Sequence, residues 1–176
     1  IVAADELPAA AWRVFGANAT RVARRVLAET GLRSVFHHHG GGYVETPREV
    51  ERLLEHTSAE LLGLCLDTGH FAFGGGDPLA AIERYGDRLW HVHFKDCQPR
   101  ILAEARAQGW DYLTAVRHGV FCELGQGAVD FPAVIGALEQ RGFAGHIVVE
   151  QDVLPGMGRP LDSAIRNRQY LTSLGL

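Results

Sequence analysis

Short apolar runs alternate regularly with segments of helical periodicity along this chain, and this alternation limits the folds that it can adopt. Runs with the length of strands cover residues 32–36, 61–66, 88–94, 120–124 and 146–150. Helical patterns cover residues 8–30, 47–56, 78–85, 101–117, 130–140 and 162–174, with an interruption at Gly109-Trp110 in the fourth. Apolar strands that alternate with helices predict a parallel sheet covered by helices.

Residues with strong conformational preferences support several of these boundaries. Gly31 directly follows the first helical pattern, where glycine commonly ends a helix. Thr46, Pro47 and Glu49 have the spacing of a capping box with proline in the first turn. Asp77 before Pro78 predicts another helix start.

Polar residues follow all five predicted strands and favour a barrel over an open sheet. They are His37–His39, Asp67–His70, His93–Asp96, Glu123 and Glu150. Ligand groups converge from many strand ends in a barrel, whereas in a doubly wound sheet they gather at one switch point. The glycine-rich nucleotide motifs GxGxxG and GxxxxGK[ST] do not occur.

The length then limits how much of a barrel the chain can build. A complete (β/α)₈ barrel takes about 250 residues, and this chain has 176. We therefore predict an α/β fold in which residues 1–176 form a single domain. That domain would be the C-terminal portion of a TIM barrel, with about five βα units and roughly three units absent from the front.

The charge and composition of the chain exclude several classes of binding partner. The net charge is −4 and no basic block occurs, which argues against a nucleic-acid partner. No apolar run approaches the ~20 residues of a membrane span, and no signal peptide is visible. Three cysteines without a CxxC spacing indicate a reduced, cytoplasmic chain. We expect a small-molecule substrate, and a homo-oligomer remains open.

Three of the strand-end residues have the donor atoms of a metal site. Asp67, His93 and Glu150 would all lie at the same end of a barrel, within reach of one ion. Carboxylates and imidazoles suit Mn²⁺, Co²⁺, Mg²⁺, Fe²⁺ or Zn²⁺. The alternative is structural, since a strand-end aspartate often caps the next helix and a lone histidine often packs in a core.

The histidine tract at the first strand end offers further ligands. Because side chains alternate along a strand, His37 and His39 share a face and His38 points the other way. One of the first pair could complete the metal set while the other contacts substrate. The alternative is a loop tract that faces solvent.

His70 and Lys95 are the candidates for proton chemistry. His70 follows Asp67 by three residues and could bind a substrate hydroxyl or move protons near neutral pH. Lys95 is the one lysine among 17 basic residues, and it shares a strand face with His93. A neighbouring divalent cation would lower the pKa of its amine, so that it could act as acid or base or stabilise an enolate oxygen. It could also simply pair with Asp96, or be a chance surface lysine.

Five motifs resemble the xylose-isomerase-like barrel superfamily of sugar isomerases and epimerases, and within it most closely the inosose (2-keto-myo-inositol) dehydratases. They are FHHHGGG at 36–42, LDTGH at 66–70, HVHFKD at 91–96, GQGAVDFPAVIGAL at 125–138 and VVEQD at 148–152. The resemblance covers nearly the whole chain.

The resemblance implies a role for each candidate residue. Members of this superfamily hold a divalent metal with a Glu, an Asp, a His and a second Glu, and the last three correspond to Asp67, His93 and Glu150. The first Glu falls in the histidine tract, so this chain departs from the pattern there. His37 is our choice for the replacement and His39 the next, with His39 otherwise a catalytic or substrate-binding group.

The resemblance also implies the chemistry. His70 would bind substrate, and Lys95 would act as an acid/base or as an oxyanion stabiliser. The activity implied is a metal-dependent dehydratase that acts on a keto-inositol or related polyol ketone through an enediolate. A keto-sugar isomerase or epimerase shares the first step and stays open, as does an inactive truncated barrel. A DNA-repair endonuclease of the same fold is disfavoured by the acidic charge and the single lysine.

Overall fold

The computed structural model describes residues 7–176, and its central element is a sheet of four parallel strands. Six strands occur in this part of the chain: β1 (Ser34–His37), β2 (Leu62–Asp67), β3 (Leu89–Phe94), β4 (Asp96–Cys97), β5 (Phe121–Cys122) and β6 (His146–Val149). The sheet has the order β1-β2-β3-β6, and every neighbouring pair is parallel. The predicted parallel sheet is confirmed.

The helices lie between the strands along the chain, as the sequence predicts. They are α1 (Ala9–Thr30), α2 (Pro47–Glu55), α3 (Thr68–Phe73), α4 (Pro78–Tyr85), α5 (Pro99–Gln108), α6 (Tyr112–Arg117), α7 (Phe131–Gln140) and α8 (Pro160–Ser173), with a 3₁₀ turn at Gly86–Arg88. The predicted interruption separates α5 from α6: Gly109 ends α5 with a φ of +65°, and Asp111 caps α6. The short helix α3 was not predicted. No helix in the described part of the chain is long and apolar enough to cross a bilayer.

The predicted caps form. Thr46 Oγ1 accepts a hydrogen bond from the Glu49 backbone N–H, and the Glu49 carboxylate accepts one from the Thr46 backbone N–H. Such a cap stabilises a helix by about 1 kcal/mol. Gly31 ends α1 in the left-handed conformation, and Asp77 caps α4.

The prediction that residues 120–124 form a strand of the parallel sheet is wrong. Residues 120–124 contribute only β5, which pairs antiparallel with β4 and lies outside the four-stranded sheet. The apolar side chains that suggested a barrel strand, Val120 and Phe121, are buried instead in a second hydrophobic cluster beside α5 and α6, together with Phe73 and Leu102. Burial in this cluster satisfies the same apolar pattern, so the pattern alone could not exclude it.

The two faces of the sheet differ in chemistry. On β2, Leu64 and Leu66 point into the main core, and the alternate residues Cys65 and Asp67 point to the other face. The main core lies between the sheet and the helices, and includes Val50, Leu53, Ile82, Val92, Phe94 and Phe131. We call the face that carries Cys65 and Asp67 the inner face, and it presents the candidate site.

Candidate metal and active site

The predicted metal ligands converge at the carboxyl end of the sheet. His37 Nε2 lies 3.5 Å from Asp67 Oδ2, and His93 Nδ1 lies 3.8 Å from the same oxygen. His93 Nδ1 also lies 2.8 Å from Glu150 Oε1. The register explains this convergence, because Asp67 pairs with His93 across β2 and β3, and His37 ends the neighbouring strand.

The donor atoms in this cluster fit a divalent cation. Asp67 Oδ2, His37 Nε2 and His93 Nδ1 are buried and make no hydrogen bond of acceptable geometry. Buried polar atoms are normally hydrogen-bonded, so three unpaired ligand-type atoms together need an explanation, and an ion would supply one. A group with ligand atoms all within 4.8 Å of one another consists of His37, Asp67, His70 and Glu150.

Asp67 serves the fold and the site with different oxygens. Its Oδ1 accepts a hydrogen bond of 2.7 Å from the His70 backbone N–H and so caps α3. The structural explanation considered for this aspartate therefore holds for one oxygen, while Oδ2 faces the histidines. His38 supports the arrangement from the opposite face, where its Nε2 accepts the backbone N–H of Asp67. Burial, followed by the charges of His37 and His39, lowers the pKa of His38 to about 3, so this imidazole stays neutral.

Lys95 lies beside the cluster in a cage of carboxylates. Its Nζ is 3.1 Å from Glu150 Oε2 and 3.2 Å from Asp152 Oδ2. Burial by itself lowers the pKa of Lys95, but the charges of Asp67, Asp152 and Glu150 outweigh burial and raise it. The side chains of the site thus keep the amine protonated. The lowered pKa expected beside a cation remains a prediction for the metal-bound protein.

Glu150 is held as a carboxylate by the same neighbours. The His93 imidazole is the largest influence, and the Lys95 ammonium adds to it, so that the pKa of Glu150 falls to about 2 although burial opposes this. An ionised Glu150 is the form that binds metal.

The LDTGH motif positions Lys95. Thr68 Oγ1 donates to the Lys95 carbonyl at 2.6 Å and accepts from the Lys95 N–H at 3.0 Å, which clamps the backbone of this residue. Gly69 makes room for the lysine stem, because a Cβ there would lie 2.5 Å from Lys95 Cγ. The threonine and the glycine are therefore both explained by the lysine that they contact.

Two hydrogen-bond donors lie beside the two ring nitrogens of His70 and compete for the one nitrogen that can accept in the neutral ring. The Gly40 N–H donates to Nδ1 at 3.3 Å, and Lys95 Nζ lies 3.3 Å from Nε2. Either neutral tautomer can accept from one of these donors only. Burial, then Lys95 and His39, lower the pKa of His70 strongly, so the ring is a neutral hydrogen-bonding group and a weak base.

His39 is the exposed histidine of the tract. Its ring centroid lies 3.9 Å from that of His70 and 5.0 Å from that of Tyr112. Its Nδ1 is 2.7 Å from the Gly40 carbonyl, which can only accept, so Nδ1 carries the hydrogen and Nε2 is free to accept a proton.

Asp96 and Glu123, two of the candidate strand-end acids, lie outside the cluster of metal-type ligands. The proposed pairing of Asp96 with Lys95 is wrong: the Asp96 carboxylate accepts four backbone N–H groups, those of Cys97, Gly125, Gly127 and Val129. Glu123 pairs with Arg166 at 2.6 Å.

Three residues near the site were not assigned from the sequence. Asp152 could have been found, since it is two residues after Glu150 and lies in the same motif. Cys65 precedes Asp67 by two residues on the same strand face, so its position near the site could also have been inferred from the sequence. Tyr112 packs over His39 and His70 from α6, and no local signal indicates this.

Comparisons with known proteins agree with this architecture. The family model of the xylose isomerase-like TIM barrel matches residues 2–173. The rhizopine catabolism protein MocC of Rhizobium meliloti is 40% identical over 93% of this chain and 50% of its own length. The inosose dehydratase of Geobacillus thermodenitrificans is 38% identical over 82% of this chain and 48% of its own length. The chain thus spans about half the length of these curated relatives.

Solved structures show the same fold at low identity. The structure of an L-ribulose 3-epimerase superposes with a TM-score of 0.73 at 17% identity, covering 97% of this chain and 56% of that protein. With four parallel strands and half the length of its relatives, the chain forms a partial barrel. It belongs to the xylose isomerase-like TIM barrel family.

Proposed function

We propose that this chain carries the site of a metal-dependent dehydratase that acts on a keto-inositol or related polyol ketone. The observation that carries the proposal is the contact between a metal-type cluster and a buried ammonium: Glu150 approaches His93 with one oxygen and Lys95 with the other. Relatives named inosose dehydratase, 38% identical or less, support the reaction type.

His37, Asp67, His93 and Glu150 are the proposed metal ligands. His93 is preferred to His70 because Nδ1 of His93 faces the carboxylates of Asp67 and Glu150, whereas both ring nitrogens of His70 have hydrogen-bond donors as neighbours. A divalent ion held by these four residues would polarise the substrate carbonyl and stabilise the enediolate that forms on proton loss.

The proton chemistry is assigned to Lys95 and His39, with His70 as a substrate-binding group. His39 Nε2 removes the proton from the carbon next to the carbonyl, since its tautomer leaves this nitrogen unprotonated. The bond from the β-carbon to its hydroxyl then breaks, and Lys95 gives a proton to the departing oxygen, which leaves as water. The carboxylates of Glu150 and Asp152 keep Lys95 protonated for this step.

A keto-sugar isomerase or epimerase is the second candidate. The pair of His39 and Lys95 favours it too, because two acid/base groups can remove a proton from one carbon and return it to another position. The two activities differ only after the first proton transfer.

The free state of Cys65, Cys97 and Cys122 supports our assignment of the protein to the cytoplasm.

The test is a product assay with Mn²⁺ or Co²⁺ and 2-keto-myo-inositol. We expect the wild-type chain to form an enol or diketone product that is detected by its absorbance. The rate of product formation should fall by about 10²- to 10⁴-fold in Lys95→Met. Asp67→Asn should lose bound Mn²⁺ and activity, whereas Glu123→Gln, a strand-end acid outside the site, should retain both.

Each alternative gives a different result in this assay. A new ketose without an absorbing product would support the isomerase or epimerase. Turnover that is unchanged in Lys95→Met would contradict the role of the lysine. No reaction and no bound metal in the wild-type chain would mean that this partial barrel is inactive.

A further inference from the structure

The inner face of the sheet continues below the carboxylates as a layer of softer ligands. Cys65 lies two residues before Asp67 on β2, and His91 lies two residues before His93 on β3, so both point to the inner face. Cys65 pairs in register with His37 on one side and with His91 on the other. A thiol therefore lies one level below Asp67, between imidazoles.

Ligand atoms of this layer are close enough to share an ion. One ring nitrogen of His37, one of His93 and Cys65 Sγ all lie within 4.8 Å of one another. A tetrahedral Zn²⁺ with bonds of about 2.0–2.3 Å places its ligand atoms about 3.3–3.8 Å apart. Side-chain adjustments of about an ångström would close the observed group around an ion.

From these contacts we infer a second metal site, formed by His37, Cys65 and His93, that selects thiophilic divalent cations such as Zn²⁺. We call it the thiolate site, and the group His37, Asp67, His93 and Glu150 the carboxylate site. The inference does not depend on the proposed reaction. It adds a site with different donors to the same face of the sheet.

The donor sets give the two sites different preferences. One sulfur and two nitrogens suit Zn²⁺ or Co²⁺ and bind Mg²⁺ and Mn²⁺ poorly. Two carboxylates and two imidazoles accept the harder ions as well. Because His37 and His93 belong to both groups, an ion in the thiolate site withdraws two ligands from the carboxylate site, and the two sites cannot be filled together.

Binding at the thiolate site is balanced by loss of one proton. The Cys65 thiol gives its proton to solvent as its sulfur bonds to the ion, and the two imidazoles bind in their neutral form. Cys65 is buried, with 1% of its surface exposed, whereas the side chains of His37 and His93 are partly exposed, so we expect an ion to reach the thiol past these two rings.

The test is the absorption spectrum of the chain with one equivalent of Co²⁺, because only a cobalt–thiolate bond gives an intense near-ultraviolet charge-transfer band. We expect this band in the wild-type chain and its loss in both Cys65→Ser and Cys65→Ala. Cys97→Ala removes another buried thiol outside the group and should keep the band. Circular dichroism checks that each variant is folded, and Cys65→Ser preserves the size of the side chain.

A second variant separates this inference from the proposed function. Asp67→Asn keeps an oxygen that can cap α3, removes the charge from the carboxylate site, and should retain the charge-transfer band. Bound Co²⁺ without a thiolate band in the wild-type chain would overturn the thiolate site and leave the carboxylate site standing. A band that survives in Cys65→Ser would also overturn it, and absence of any bound Co²⁺ would contradict both sites.

Discussion

At the scale of single residues, the chain uses its one lysine where an arginine would not serve. The Lys95 side chain is 3% exposed, its stem passes over Gly69, and its ammonium lies 4.6 Å from the centre of the Phe121 ring. A compact ammonium on a flexible stem can donate to several acceptors in different directions, whereas a guanidinium is planar and larger. The use of arginine at the other 16 basic positions made this residue conspicuous in the sequence.

Cys97 permits a prediction about pH and stability. Burial, followed by the charges of Cys122 and Asp96, raises the pKa of its thiol from 9.0 to about 12. Above pH 9 the unfolded chain therefore loses a proton that the folded chain keeps, so the free energy of unfolding falls as pH rises between 9 and 12. From this residue alone we expect a loss of about 1.4 kcal/mol at pH 10 relative to pH 7.

Urea denaturation of wild type and Cys97→Ala at pH 7 and pH 10 measures the contribution of this thiol to the free energy of unfolding. The variant loses packing at every pH, but its stability should fall less between pH 7 and pH 10, by the difference attributed to the thiol. Equal slopes for the two proteins would disprove the assignment.

At the scale of elements, the connection between β3 and α7 depends on one buried carboxylate. Asp96 accepts the backbone N–H groups of Gly125 and Gly127 through Oδ2 and those of Cys97 and Val129 through Oδ1. Gly127 must lack a side chain, because a Cβ there would lie 2.3 Å from Asp96 Oδ1. This carboxylate joins β4 to the loop that follows β5.

We predict that Asp96→Ala lowers the free energy of unfolding by at least about 3 kcal/mol, since four N–H groups lose a charged acceptor. Asp96→Asn keeps one acceptor oxygen and should cost about half as much. Asp111→Ala is the matched control, because this exposed aspartate caps α6 through the Thr114 backbone N–H, and its loss should cost about 1 kcal/mol. Equal losses in urea denaturation for Asp96→Ala and Asp111→Ala would contradict this account.

At the scale of the whole molecule, the proposed metal ligands come from every strand of the sheet. His37 ends β1, Asp67 ends β2, His93 lies on β3, and Glu150 follows β6. An ion bound by all four would join strands whose residues are far apart in the chain. This matters in a partial barrel, because β1 and β6 each have a side without a strand partner among the described residues.

We therefore predict that a divalent metal raises the melting temperature. At a free concentration of about 100 times Kd, binding adds about 2.7 kcal/mol of stability, which corresponds to about 5–10 °C for a chain of this size. Differential scanning fluorimetry with Mn²⁺ or with EDTA measures the shift. Asp67→Ala should lose the shift, and an equal shift in that variant would contradict the proposed ligand set.

The partial barrel also leaves apolar side chains uncovered at the strand edges. Val35 on β1 is 38% exposed, and Val148 and Val149 on β6 are 42% and 36% exposed. Strand edges of this kind are pairing surfaces. They lie on the two strands that would have further neighbours in a complete barrel.

Most helices and strands, and the candidate ligands, could be predicted from local patterns in the amino-acid sequence. Helix boundaries at Gly31, Thr46 and Asp77 were readable because caps act through hydrogen bonds and backbone preferences within a few residues. The alternation of strands and helices placed Asp67 and His93 at one end of a parallel sheet for the same local reason.

Contacts between residues that are distant in the chain could not be predicted in this way, because they depend on how the whole chain packs. Whether residues 120–124 join the sheet or a separate cluster depends on which apolar surface is available to bury them, and both choices satisfy the same pattern. Asp96 binds backbone N–H groups rather than Lys95 because the loop at 125–129 folds over it. The protonation of Lys95 likewise depends on Asp152 and Glu150, more than 50 residues away in the chain, since a pKa reflects the charges and burial that folding brings together.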